Sequence, residues 1–207
     1  ADVDGAQLTN ITLSSTAGTT SGVADTAESL TITAIESTLL TTFDASAFTG
    51  VLIITGLSDN YIATGATIKG GTAVDSITGG AGADVITGGA GADILLGLGS
   101  NDNISGGTGA DTIDGGAGTD TLTGGTGDNI FVFDDAESTE AAMNIITDFT
   151  AGAADEDFDT LNIVTATNTI FNTVAKASAH SITDLTTETE GGTAAAYITN
   201  GFIQLTG

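Results

Sequence analysis

The sequence contains no cysteine and no proline, one histidine, and only two lysine or arginine residues. Without cysteine, neither disulfides nor thiolate metal sites can form, so any metal must be bound through oxygen. The 27 acidic residues give a formal net charge of -25. Such a chain repels phosphate backbones and anionic membranes, which excludes nucleic acid as a partner. No run approaches the roughly 18 apolar residues of a membrane span, so we predict none.

The rest of the composition indicates a folded β protein. Hydrophobic residues make up 40% of the chain and its mean hydropathy is +0.27, unlike the low-hydrophobicity chains that stay disordered. The 30 glycines and the β-branched residues interleaved with Thr and Ser favour short strands and turns over helices. Because basic side chains are so few, a divalent cation is the simplest source of positive charge to balance the acidic side chains.

A nine-residue repeat occupies residues 70–132. Seven units follow one another without an insertion: GGTAVDSIT, GGAGADVIT, GGAGADILL, GLGSNDNIS, GGTGADTID, GGAGTDTLT and GGTGDNIFV. The first position is always glycine, and the eighth is always apolar: Ile77, Ile86, Leu95, Ile104, Ile113, Leu122 and Phe131. The sixth position is Asp75, Asp84, Asp93, Asp102, Asp111, Asp120 and finally Asn129.

This spacing predicts a parallel β-roll, which is a calcium-binding β-solenoid. Glycine lets the first six residues of a unit turn sharply and expose carbonyl groups, and the last three form a strand whose apolar residue points inward. Two units make one coil, so the sixth-position residues separate into two columns. One column holds Asp75, Asp93, Asp111 and Asn129, and the other holds Asp84, Asp102 and Asp120.

Members of a column are predicted to lie ~4.8 Å apart, where their carboxylates repel each other unless a cation lies between them. Calcium takes six to eight oxygen ligands, which carboxylates and glycine-turn carbonyls can supply. Counting the gaps predicts roughly five ions. The gap between Asp111 and Asn129 should be the weakest, although Asp128 could compensate. The candidate turn glycines are Gly71, Gly80, Gly82, Gly89, Gly91, Gly107, Gly109, Gly116 and Gly118.

The repeat resembles the RTX (repeats-in-toxin) nonapeptide, a calcium-binding β-roll family. Residues 145–149 and 199–207 look similar to the domain that follows RTX repeats in type I secreted proteins. This implies export by a type I exporter that reads an uncleaved C-terminal signal. Residues 41–55 and 66–71 resemble the Thr/Ala-rich approach to RTX repeats in bacterial S-layer proteins.

The chain divides into a Thr/Ser-rich β lead-in over residues 1–69, the roll over 70–133 and a β-rich C-terminal cap over 134–207. In the lead-in, strands are predicted at 30–32 and 51–54, and Ile68 continues the apolar column one unit upstream. A strand is predicted at 130–133, where the roll ends. In the cap, strands are predicted at 144–149, 159–164, 195–199 and 201–205, and short helices at 137–143 and 170–178.

Catalytic interpretations find little support in the residues. His180 is the only histidine, and no serine lies in a nucleophile elbow. One histidine cannot build a zinc protease site. Four acidic residues, Asp148, Asp155, Asp157 and Asp159, could form another calcium site or a glycosidase pair, but a solvated acidic loop is the simpler expectation. We therefore predict that the chain is not an enzyme.

The sequence as a whole is interpreted as a secreted, calcium-binding structural protein of the bacterial cell surface. It is expected to fold on extracellular calcium and to self-assemble into an S-layer-like array or filament, with cell-envelope polysaccharide as a further candidate partner. The alternative is a C-terminal secretion and folding module of a larger type I secreted enzyme or adhesin. Regular assembly in calcium distinguishes the first from the second.

Overall fold

The computed structural model describes residues 9–14, 29–33, 40–55, 65–134, 144–150, 159–164 and 204–205. Every regular element in these ranges is a β-strand. The strands are β1 (Asn10–Ser14), β2 (Ser29–Ile32), β3 (Thr42–Ala47), β4 (Val51–Ile54), β5 (Thr67–Lys69), β6 (Ser76–Gly80), β7 (Val85–Ala90), β8 (Ile94–Leu98), β9 (Asn103–Thr108), β10 (Thr112–Asp114), β11 (Thr121–Thr126), β12 (Ile130–Asp134), β13 (Ile145–Ile146), β14 (Thr160–Val164) and β15 (Gln204–Leu205).

The strands form two parallel sheets whose membership alternates along the chain. The odd sheet has the order β1-β3-β5-β7-β9-β11-β13-β15, and the even sheet has the order β14-β12-β10-β8-β6-β4-β2. Each strand therefore leads through a turn into the opposite sheet, and two strands complete one coil. Within the repeats, partners are 18 residues apart, as in the pairing of Ile86 with Ile104. This is the predicted β-roll.

The core is the row of inward side chains between the two sheets. All seven eighth-position residues are completely buried. They stack on themselves in register, as where Ile113 pairs with Leu95 on one side and Phe131 on the other. Fully burying such a side chain contributes about 1.5–3 kcal/mol, so the column is the main apolar source of stability. Larger side chains thicken the core at both ends, including Phe43 and the Phe131–Phe149 ring pair with centroids 6.2 Å apart.

The lead-in and the tail contribute strands to the same two sheets. Strand β4 pairs with β6, and β12 pairs with β14, so the solenoid extends beyond the repeats in both directions. The strands predicted at 30–32 and 51–54 are confirmed as β2 and β4. The helices predicted at 137–143 and 170–178, and the strand predicted at 195–199, lie outside the described residues.

Several strands are longer than the three residues predicted for each unit. Strand β7 continues through the glycine pair of the next unit to Ala90, because Gly89 pairs in register with Gly107 of β9. A backbone without side chains can keep its ladder hydrogen bonds while it begins to turn. The turns are consequently tighter than a six-residue loop.

Candidate metal-binding columns

The sixth-position aspartates lie inside the solenoid, at its two turning edges. Each precedes the buried eighth-position residue by two, and residues two apart on a strand point to the same face. All six aspartates are at most 3% exposed, and Asn129 is fully buried. Burying an ionised carboxylate is costly unless it is paired, so the surroundings of these groups decide what the site can do.

A ladder of hydrogen bonds links the members of each column. The backbone N–H of Asp75 donates to Oδ1 of Asp93 at 2.7 Å, and that of Asp93 donates to Oδ1 of Asp111 at 2.8 Å. The Asp111 N–H donates in the same way to Oδ1 of Asn129 at 3.0 Å. In the second column Asp84 donates to Asp102, and Asp102 to Asp120. Each Oδ1 is thereby fixed by the preceding coil.

Both columns continue past the last repeat. The Asp120 N–H donates to Oδ1 of Asn144 at 2.8 Å, and the Asn129 N–H donates to Oδ1 of Asp159 at 3.1 Å. These continuations do not follow from the nine-residue period, because the separations grow to 24 and 30 residues. A signal was present, since an apolar residue follows each by two positions, at Ile146 and Leu161, as in the repeats.

Asp159 corrects one prediction. It is only 7% exposed, and its Oδ2 accepts the N–H of Thr150 at 2.8 Å, so a solvated acidic loop is wrong for this residue. Asp148 is half-buried and accepts the N–H groups of Gly124 and Gly125, at 2.9 and 2.7 Å. Both carboxylates hold the tail against the final repeat. Asp155 and Asp157 lie outside the described residues.

The second carboxylate oxygen divides the aspartates into two classes. Oδ2 of Asp75 accepts the N–H of Gly71, and Oδ2 of Asp84 accepts that of Gly80, both at 2.7 Å. Four other Oδ2 atoms are buried and find no hydrogen-bond donor among the described residues: those of Asp93, Asp102, Asp111 and Asp120. An unsatisfied buried carboxylate oxygen needs either a proton or a cation.

The electrostatics of the columns agree with this need. The pKa of Asp93 and of Asp102 is raised to about 7, mainly by burial and to a smaller extent by neighbouring aspartates of the same column, against the lowering effect of a backbone hydrogen bond. Burial also raises the pKa of Asp120 to about 6, with Asp114 adding to the effect. Desolvation is thus the larger cause, and the repulsion emphasised in the sequence analysis is the smaller one.

The first-position glycines create the space that these oxygens face. A Cβ placed on Gly106 would overlap both Oδ2 of Asp111 and the carbonyl oxygen of Gly124 in the next coil. The same holds for Gly97, with Asp102 and the Gly115 carbonyl. Each space is therefore lined by a carboxylate oxygen and a carbonyl oxygen from adjacent coils.

The donor set fits a hard cation such as calcium. Within the described ranges, no three His, Cys, Asp or Glu side chains gather at one point. A centre made from side chains alone is thus not formed there, and backbone carbonyls must supply part of the coordination. Carboxylates mixed with carbonyls are the ligands that calcium uses. The number of ions remains a prediction.

Most of the predicted turn glycines adopt the conformation that only glycine takes easily. Positive φ angles occur at Gly89, Gly91, Gly107, Gly109, Gly116 and Gly118. At Gly107, where φ is 114°, an added Cβ would also collide with the Gly89 carbonyl. Gly71, Gly80 and Gly82 are buried but lie outside this region of φ. Leu98 and Ser100 occupy the equivalent positions of their unit with φ of 81° and 77°.

Asp128 does not join a column. It is exposed, whereas its neighbour Asn129 is fully buried and takes the sixth-position place. The Asn129 Nδ2 donates to the Gly127 carbonyl at 2.9 Å. The amide therefore has a hydrogen-bond partner at the place where four of the aspartates have a buried oxygen without a donor.

Comparison with known proteins identifies the repeat. A family model that describes four copies of the RTX calcium-binding nonapeptide repeat matches residues 63–95 and again residues 96–131. The match begins seven residues before Gly70, where Ile68 already extends the apolar column. No curated protein and no solved structure gives a significant match. Among the described residues, no helix is long and apolar enough to cross a membrane.

Proposed function

We propose that this chain, whose residues 63–131 match the RTX calcium-binding nonapeptide repeat, is a secreted structural protein that folds on extracellular calcium and self-assembles at the bacterial cell surface. The four buried Oδ2 atoms without a donor carry this proposal. They are too deeply buried to remain ionised without compensation, and a calcium ion would compensate them. Asp93, Asp102 and Asp111 would each bind it together with a glycine carbonyl of the next coil.

Folding and calcium binding are coupled in this proposal, because the columns exist only when coils are stacked. An unfolded chain carries its 27 acidic residues in water at no desolvation cost. Stacking the coils buries carboxylates, which a low-calcium cytoplasm does not compensate. Sites of the extracellular class bind calcium with dissociation constants of about 10⁻⁴–10⁻³ M, which matches concentrations outside the cell. The chain would therefore pass an exporter unfolded and fold outside.

A structural rather than catalytic role is favoured by the residues available for chemistry. The chain has one histidine and no cysteine, and His180 lies outside the described residues. The buried titratable groups of the described part belong to the two columns and their continuations, where backbone amides fix one oxygen of each. Such groups are positioned for ion binding and not for proton transfer to a substrate.

Self-assembly is supported by the terminal strands of the two sheets. Among the described residues, β1 and β15 are the outermost strands of the odd sheet, and β2 and β14 are those of the even sheet. Terminal strands of a parallel sheet present unpaired backbone groups that can pair with a strand of another copy. Head-to-tail addition would extend the solenoid into a filament or array. Cell-envelope polysaccharide is a candidate anchor for it.

The test is calcium addition to chelator-treated protein, followed by circular dichroism and negative-stain microscopy. Cooperative folding into ordered sheets or filaments is the expected result. Folding without association would favour the alternative, a secretion and folding module of a larger type I secreted enzyme or adhesin. A chain that shows no folding response to calcium would overturn both functions.

A further inference from the structure

The outward face of the even sheet alternates between apolar and hydroxyl side chains. Following the strand register across the sheet, one outward row reads Thr31, Ile53, Ser76, Ile94, Thr112, Ile130 and Thr160. Every second strand therefore carries an isoleucine at this row. Ile94 is 47% exposed and Ile130 is 38% exposed, so these are surface side chains and not part of the core.

A second outward row, two residues further along each strand, repeats the pattern. It reads Thr78, Leu96, Asp114, Val132 and Asn162. The two rows together make apolar ridges on β8 and β12, with Ile53 alone on β4, separated by polar furrows on β6 and β10. Ridges lie two strand spacings apart, about 9.6 Å. The two rows contain one charged residue, Asp114.

The odd sheet of the same coils shows no such pattern. Its corresponding row reads Thr42, Thr67, Val85, Asn103, Thr121 and Ile145, and its second row over β5 to β11 reads Lys69, Thr87, Ser105 and Thr123. Val85 and Ile145 are the large apolar residues of these rows, and they stand three strands apart, so apolar and polar strands do not alternate. Both sheets enclose the same core and close the same turns, so the solenoid itself does not require the ridges. Their restriction to one face indicates a separate cause.

We propose that the ridged face of the even sheet binds the ridged face of a second copy of this chain. A two-fold axis between β8 and β10 would place the β8 ridge over the β10 furrow of the partner, and the β12 ridge over the β6 furrow. The surface is thus complementary to itself, which is the requirement for an isologous contact. Thr112, Ser76 and Thr78 leave room for Ile94, Ile130 and Val132 of the partner, while Leu96 of the partner lies over Asp114.

Charge also favours a second copy on this face. A chain with a net charge of -25 repels itself wherever its acidic residues meet. The ridged face keeps those residues to Asp114 alone, which lies in a furrow and accepts the N–H of Gly116 at 3.0 Å. Two copies can therefore approach through this face with less repulsion than the overall charge implies.

The size of the face determines the kind of contact. Five strands at ~4.8 Å spacing and three residues along each strand cover on the order of 300 Å². A stable two-chain complex needs about 800 Å² per partner. The contact is therefore weak between two isolated chains. It becomes effective where many copies are already joined, and for this reason the inference rests on the proposed self-assembly. Strand addition would extend the assembly along the solenoid, and the ridges would join solenoids side by side.

Substitution of the ridges tests the contact. The double variant Ile94→Thr/Ile130→Thr keeps β-branched side chains and removes the isoleucine from two ridges, whereas Val85→Thr makes the same kind of change on the odd sheet. We expect all three proteins to fold at the same calcium concentration by circular dichroism. Sedimentation in calcium should show that the double variant needs roughly tenfold more protein than wild type for half-assembly. Val85→Thr should assemble as wild type does.

Cross-linking provides an independent measurement, because the native chain has no cysteine. In the proposed pair, the two Thr112 positions lie one strand spacing apart across sheets about 10 Å apart, which is a separation of about 11 Å. A thiol cross-linker of that span should join copies of Thr112→Cys in assembled samples. It should not join copies of Thr121→Cys, the equivalent position on the odd sheet.

The outcomes separate the two proposals. If the wild type assembles and the double variant assembles equally well, the ridge contact is overturned and self-assembly stands. The same conclusion follows if assembled samples cross-link at Thr121→Cys and not at Thr112→Cys. A wild-type chain that folds in calcium but stays monomeric at every concentration would overturn both. Equal impairment by Val85→Thr would show a general effect of surface hydrophobicity and would also overturn the ridge contact.

Discussion

The backbone N–H of Asp93 donates a 2.8 Å hydrogen bond to Oδ1 of Asp111, eighteen residues later, while Oδ2 of Asp111 is buried without a donor among the described residues. One carboxylate thus has two oxygens with different roles. The first joins successive coils through the backbone, and the second is available to a cation. The effects expected below for Asp102, for Gly106 and for pH depend on this division of roles.

Replacing one column carboxylate should have opposite effects with and without calcium. In Asp102→Asn, an oxygen can still accept the Asp84 N–H, but the buried charge is gone. Without calcium we expect the folded roll to gain on the order of 1 kcal/mol, since no carboxylate must be desolvated. With calcium, the loss of a charged ligand should raise the folding midpoint roughly tenfold in calcium concentration. Urea unfolding in chelator and calcium titration followed by circular dichroism measure the two effects.

Asp44→Asn is the matched control for that substitution. Asp44 lies on the outer face of the odd sheet, where it forms a 3.3 Å ion pair with Lys69 and a hydrogen bond with Ser46. These contacts lower the pKa of Asp44. Its replacement should leave the calcium midpoint unchanged. An equal shift in both variants would mean that total acidic charge, and not the column, controls calcium binding.

Filling the space above a first-position glycine should destabilise the roll. In Gly106→Ala the new methyl group would overlap Oδ2 of Asp111 and the Gly124 carbonyl, so the coils must separate. A loss of about 2 kcal/mol or more in calcium is expected. Gly99 has no heavy atom within 4 Å of an added Cβ, so Gly99→Ala should change the stability by less than about 0.5 kcal/mol. Thermal unfolding in calcium compares the two, and similar losses would contradict the assignment.

The pH dependence of stability should reverse when calcium is removed. The folded metal-free roll has aspartates whose pKa is raised from 3.8, to about 7 for Asp93 and Asp102 and about 6 for Asp120. A raised pKa means that the folded state binds protons that the unfolded chain releases. This stability is fully present below pH about 4 and is lost as the pH rises through about 7.

In chelator, the roll should therefore become more stable as the pH falls from 8 to 5. In calcium it should become less stable over the same interval, because protons compete with the ion for the carboxylates. Urea midpoints at several pH values, with and without calcium, provide the measurement. The same slope in both conditions would show that the columns are not the titrating groups.

Leu98 should be replaceable by glycine with a gain in stability. Its φ of 81° costs a non-glycine residue roughly 1–2 kcal/mol, and its side chain, at 40% exposed, is one of the five exposed large apolar side chains among the described residues. Because glycine is also more flexible when unfolded, the net gain for Leu98→Gly should be about 0.5–1 kcal/mol. Thermal unfolding in calcium measures it. A loss would show that the Leu98 side chain makes a stabilising contact that outweighs its backbone strain.

Much of the fold could be predicted because each repeat position has one physical task. The spacing of Asp84 and Ile86 places both side chains inward, and the period of nine sets the alternation between sheets. The continuation of the columns to Asn144 and Asp159 was missed, because inserted residues break the period there. Hydrogen bonds such as Asp84 N–H to Asp102 Oδ1 could not be predicted, since they depend on the exact offset between stacked coils.

The outer faces illustrate a second limit of sequence reasoning. Ile94 and Val85 occupy the same position of neighbouring units, and a nine-residue alignment treats them alike. Only the assignment of successive units to different sheets shows that Ile94 shares a face with Ile53 and Ile130, whereas Val85 has polar neighbours. Solvent-facing positions carry little packing constraint, so their pattern becomes visible only after the strands are placed.

The two-sheet coil also limits how this chain can change in length during evolution. Losing one nonapeptide would move every later strand to the opposite sheet, exchange the two aspartate columns and scatter the ridges over both faces. Losing two units, eighteen residues, keeps sheets and columns intact but places a ridge strand where a furrow strand had been. Only a change of four units, thirty-six residues, preserves the core, the columns and the outer pattern together. The core and the columns therefore repeat every eighteen residues, whereas the outer pattern of the even sheet repeats every thirty-six.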